Sequence, residues 1–141
     1  MQQSDYILRE IEKINMLIIA LLGKLKRARE EEPAINEFVK NTALELKEGS
    51  NLDLQDLLDC PADELGKFLE MNPGFDGANT ELLSEFLVDL SQFTFQPEGQ
   101  KMLRKALELY AYIDVRYKSF SLYRSGKMDE IKALLEKVDE S

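Results

Sequence analysis

Four aspartates, Asp53, Asp56, Asp59 and Asp63, recur every three or four residues. That spacing brings carboxylates to one face of an unbroken helix. Carboxylates so gathered attract Mg²⁺ or Ca²⁺, and they serve equally well as a solvated acidic face. Pro61 interrupts the ladder, and Asn72, Asp76 and Gly77 match only fragments of a calcium loop, without its closing glutamate. No metal is therefore expected. The one cysteine, Cys60, precedes Pro61 and would lie near a helix N-terminus, where the backbone dipole favours a thiolate. Asp59, Asp63 and Glu64 oppose that charge, so Cys60 reads either as a reactive thiol or as a small buried side chain.

The chain has no histidine. This excludes Ser-His-Asp and Cys-His nucleophilic sites, His-ligated zinc and imidazole acid-base catalysis. No glycine-rich phosphate loop and no Cys-x-x-Cys pair is present. No catalytic residue and no cofactor is assigned, and the expectation is a protein that is not an enzyme. The rival expectation is a small-ligand-binding protein or enzyme that works through carboxylates and tyrosines. It requires several of Asp53, Asp56, Tyr110 and Tyr117 to converge on an enclosed pocket.

Two further groups of residues concern partners. On a helix read from Pro97 to about residue 125, a turn of 100° per residue sets Lys105, Tyr112, Arg116 and Tyr123 in one polar arc, with Leu103, Ala106, Tyr110, Ile113, Tyr117 and Phe120 opposite as core. Tyrosine beside Arg or Lys is the composition of protein-recognition surfaces. Alternatively, these rings pack on neighbouring helices and leave their hydroxyls wet. Met16 to Leu22 is apolar almost all round its helix, so Met16, Ile19 and Leu22 are candidates for self-association unless the rest of the chain covers them.

The elements that must position these groups are all helical. Ser4 reads as an N-cap, and apolar residues from Ile7 to Leu25 follow the spacing of one helix face to about residue 30, with Pro33 as the stop. Further helices are expected at about 33–48, ended by Gly49, then 52–59 and 61–71. The run 72–77, with one proline and two glycines, is the clearest loop. Asn79 or Thr80 should cap the next helix, which reaches about residue 93. Gly126 should end the long helix that begins at Pro97, and a last helix carries Met128, Ile131, Leu134, Leu135 and Val138.

At 141 residues, 44% of them hydrophobic, the chain fits one domain spanning 1–141 that buries roughly two-thirds of its unfolded surface. The net charge of −9 argues against a nucleic-acid partner. Its distribution is uneven: residues 30–97 carry sixteen Asp or Glu against three Lys or Arg, between two mildly basic ends. Terminal helices packed beside that acidic segment would neutralise it in part; otherwise it is a docking surface for a basic partner. The longest apolar stretch falls far short of the ~20 residues needed to cross a bilayer, so no membrane partner is expected. A lone cysteine and the lack of an apolar leader make the cytoplasm the expected compartment.

The opening Asp5-Tyr6-Ile7-Leu8-Arg9-x-Ile11-Glu12 resembles the start of an uncharacterised bacterial helical family, a resemblance that covers one helix and implies helical hairpins without an activity. Gly126, Met128, Ile131, Leu135 and Val138 resemble the turn glycine and second-helix packing residues of a tetratricopeptide repeat, although Lys118 departs from that pattern and no second repeat follows. That resemblance implies a hairpin over about 98–139. The expectation is thus an all-α, single-domain array of six or seven helices with antiparallel, repeat-like hairpins. Its expected role is that of a noncatalytic protein-interaction or scaffold module, working with a protein partner or by self-association.

Overall fold

The apolar rhythm at the start of the chain becomes one helix, α1 (Gln2–Glu31), which buries Ile14, Ile18, Leu21, Leu25 and Ala28 along one side. The computed structural model describes the backbone of residues 2–31 and 35–140 and the side chains of 5–29 and 36–137. The expected stop at Pro33 lies outside the described residues, as do the side chains of Ser4 and Val138.

The second helix, α2 (Ile35–Ser50), returns beside α1. Lys24 meets Glu45 at 2.7 Å, and a Cβ on Gly49 would lie 2.6 Å from the end of Leu17, so the two run antiparallel. Gly49, expected to stop α2, lies within it. The stop is Asn51, whose φ of 62° turns the chain out of the helix while its N–H still donates to the Lys47 carbonyl at 2.8 Å.

Short pieces follow. Asp53 caps α3 (Leu54–Asp59) by accepting from the Asp56 N–H at 3.0 Å, then a single 3₁₀ turn (Ala62–Glu64) leads into α4 (Leu65–Glu70). The central helix is α5 (Gly77–Ser91), capped by Asp76, which accepts from the Asn79 N–H at 2.9 Å. The sequence pattern alone favours Asn79 or Thr80 for that cap. Both are instead turned inward and buried.

Leu83, Phe86, Leu87 and Leu90 of α5 are wholly buried between α1 on one side and α6 (Glu98–Arg116) on the other. Each contributes on the order of 2 kcal/mol relative to an exposed side chain. Ile11 meets Asn79 and Arg29 meets Asp89, so α1 and α5 run parallel. In contrast α6 is antiparallel to α5: Tyr117 lies over Gly77, while Tyr110 lies beside Glu85. Finally α7 (Leu122–Glu140) folds back across α5 and α6 and buries Ile131. The fold is all-α, with seven α-helices and no strand among the described residues. None of these helices is long and apolar enough to cross a membrane.

One boundary departs from the sequence reading with consequences for function. The helix that begins near Pro97 ends at Arg116 instead of about residue 125, and Gly126 lies inside α7 instead of at a turn. The chain reverses at 117–121.

Candidate functional site

The reversal is built from backbone hydrogen bonds. Tyr117 closes α6, the Lys118 N–H donates to the Val115 carbonyl at 3.4 Å, and the Ser119 N–H donates to the Asp114 carbonyl at 3.1 Å. This is a Schellman arrangement, and its left-handed position is filled by Lys118 with φ 47° instead of by glycine. The Ser121 hydroxyl then accepts from the Arg124 N–H at 3.2 Å and caps α7.

Arg124 ties the turn to the body of the protein. Its Nε donates to Asp114 at 2.8 Å, one terminal nitrogen donates to Glu81 of α5 at 3.3 Å, and the other donates to the Ser119 hydroxyl at 2.8 Å. The Asp114 carboxylate, followed by Glu81, raises the guanidinium pKa above its ordinary value against the opposing effect of burial. The turn is therefore fixed at both ends.

What it presents is apolar. Val115, Phe120 and Leu122 are 78%, 76% and 81% exposed, with Tyr117 and Tyr123 also on the surface. Between them the Arg116 guanidinium lies 5.3 Å from the centre of the Tyr117 ring, and Lys118 is exposed. Residues 115–124 carry three cations and no carboxylate in a chain of net charge −9.

The polar arc expected on one long helix is dispersed by the break. Lys105 is 3% exposed, and its ammonium donates to Glu108 at 2.6 Å and to the Cys60 carbonyl, so it is a structural residue and not a surface cation. Tyr112 is half-buried, with its ring edge against Gly66. Arg116 remains exposed beside the turn. Tyr123 stands on α7, donates to Glu85 at 2.5 Å and is thereby pushed up to about 12 in pKa. On the opposite side, Tyr117 and Phe120 were assigned to the core. Both are on the surface: Tyr117 caps the end of α6 and keeps only part of its ring covered, and Phe120 follows Lys118, where helical phase is lost.

Met16 and Ile19, two of the three self-association candidates, are exposed on the outer side of α1, whereas Leu22 packs partly against the core. Cys60 closes α3 instead of opening a helix, and burial raises its thiol pKa, with Lys105 opposing. Asp53 is held below the usual carboxylate range by the Asp56 N–H and by Lys47, 3.2 Å away. No group of three potential metal ligands occurs among the described residues. Asp53 and Asp56 line a pocket of about 310 Å³ with Tyr6, Lys13 and Asn72, Tyr110 lines a different one, and Tyr117 covers Gly77. The four residues named for a carboxylate-tyrosine site do not converge.

The helical pattern does not bring Phe120, Leu122, Lys118 and Arg124 together as one surface group. The available signal was Ser119 and Ser121 inside an otherwise helical run, since serine competes for backbone partners and favours caps over helix interiors. No family model matches the chain, and neither curated proteins nor solved structures give a significant match.

Proposed function

We propose that this chain is a noncatalytic protein-interaction module that engages its partner through the α6–α7 turn. The observation that carries this reading is the exposure of Phe120 and Leu122 on a turn that Arg124 holds in place. Large apolar side chains gathered on a fixed projection mark association surfaces, because ordering them on binding costs little entropy. Lys118 strengthens the reading. A left-handed conformation disfavours any side chain, and the position holds an exposed cation where glycine would be unstrained.

The partner is expected to offer an apolar hollow rimmed by carboxylates, complementary to Phe120 and Leu122 flanked by Arg116 and Lys118. A photoreactive residue at position 120 tests this in cells. It should crosslink one protein at high yield, while the same residue at Lys132 on the exposed side of α7 should not. Equal crosslinking from both positions, or binding of the purified chain to anionic vesicles through the turn, would contradict the proposal. The outer side of α1, with Met16 and Ile19, is the proposed surface for self-association.

A further inference from the structure

A second feature lies behind the turn, in a pocket of about 280 Å³ between α5, α6 and α7. Val88, Ile131 and Leu134 supply apolar walls. Tyr110 forms the wholly buried floor, and its hydroxyl is, among the described residues, the one buried side-chain polar atom with no hydrogen-bond partner. A buried hydroxyl without a partner is unfavourable, so its retention on the floor of a pocket points to a group that completes it. Burial raises the phenol pKa, and Glu85, Tyr123, Glu81 and Asp89 raise it further.

The rim is acidic. Glu85 and Asp89 stand one turn apart on α5, and Glu130 lies across from them on α7. Asp89 is drawn above the usual carboxylate range chiefly by burial, even with Arg29 3.3 Å away on the α1 side and opposing, so a further cation beside it recovers desolvation energy. The molecule already places ammonium chemistry here: Lys127 sits at the pocket, 5.4 Å from the centre of the Tyr123 ring and 3.6 Å from Glu130. That contact leaves the Tyr110 oxygen unpartnered.

We infer that this pocket receives a primary alkylammonium group, whose stem lies along Val88, Ile131 and Leu134 while its N–H donors reach the Tyr110 oxygen and the carboxylates of Glu85 and Asp89. An anion would meet three carboxylates. A bare metal ion would lack a ligand set and waste the apolar walls. The acceptors come from two helices, Glu85 and Asp89 from α5 and Tyr110 from α6, which suits three separate donors on one nitrogen better than the planar fork of a guanidinium. This inference is independent of the docking role of the turn.

The test is titration of the whole chain with n-butylammonium chloride, followed by amide NMR, with 1-butanol as the uncharged isostere and sodium chloride matching ionic strength. Butylammonium should shift residues 85, 89, 110, 123 and 127, and butanol should not. Asp89→Asn should weaken binding about tenfold, and Tyr110→Phe roughly threefold to tenfold, with both variants folded. If either fails to fold, Glu85→Gln carries the same expectation. Two sources of the ammonium separate in parallel titrations: tighter binding of cadaverine marks a free diamine, and tighter binding of acetyl-lysine methylamide marks a lysine side chain. Equal shifts with butanol, no shift with butylammonium, or unchanged affinity in a folded Tyr110→Phe variant would overturn the inference.

Discussion

The first half of α5 is gripped from two sides by different chemistry. Toward α1, Asn79 is wholly buried and neutral: its amide donates to the Ile11 and Gly74 carbonyls, both at 2.8 Å, and its oxygen accepts from Asn15 at 3.2 Å. Toward α6 and α7, Glu81 receives the charged Arg124, together with Asp114 and Ser119. The neutral knot joins a loop to a core helix, and the ionic one holds a surface turn in place. In a dry interior a neutral amide satisfies carbonyls without the desolvation cost of a full charge, whereas near the rim water screens the ion pair and lowers its worth. The comparison separates what keeps the protein folded from what aims its exposed side chains.

Substitution should expose that asymmetry. Asn79→Ala leaves the buried Gly74 carbonyl without its partner and opens space beneath α1, and it is expected to cost about 3 kcal/mol in denaturant unfolding. A loss below about 1 kcal/mol would mean that the knot is replaceable. Arg124→Met keeps most of the side-chain volume but strands Asp114 and Glu81. Because both carboxylates are partly exposed, the expected cost is smaller, about 1–2 kcal/mol. The same variant should speed amide hydrogen exchange at 117–124 more than in α1 or α5, and uniform acceleration across the chain would deny the turn a separate anchor. Smallest is Lys118→Gly, which relieves the left-handed backbone and should raise stability by about 0.5–1 kcal/mol. Its removal of a rim cation should slow association with an acidic partner, so a variant that is stabilised and binds at an unchanged rate would place Lys118 outside the contact.

The central layers were legible in the sequence because they obey one period. Ile14, Ile18, Leu21 and Leu25, and Leu83, Phe86, Leu87 and Leu90, recur at helical spacing and end on the buried sides of α1 and α5. Caps were harder to place, because Asp76, Asn79 and Thr80 are all good cap residues within five positions and only the backbone selects Asp76. The α6–α7 boundary was concealed by Tyr117 and Phe120 on the apolar side and Tyr123 on the polar side, which continue both helical faces across the break, and by a stop at Lys118 where glycine is the usual signal. Lys105 could not be placed from its neighbours at all. Its long apolar stem reaches Cys60, 45 positions away in sequence, and the charge is buried by a contact no local pattern records.

The most direct measurement follows from the separation of anchor and surface: melting temperature and affinity for the crosslinked partner, determined together on Phe120→Ser/Leu122→Ser. Both side chains are mostly exposed, so melting should stay within the change expected of surface substitutions, about 0.5 kcal/mol. Partner affinity should fall at least tenfold, as for apolar side chains at the centre of an interface. A folded double variant that binds its partner as tightly as the parent chain would contradict the assignment of the turn as the docking surface.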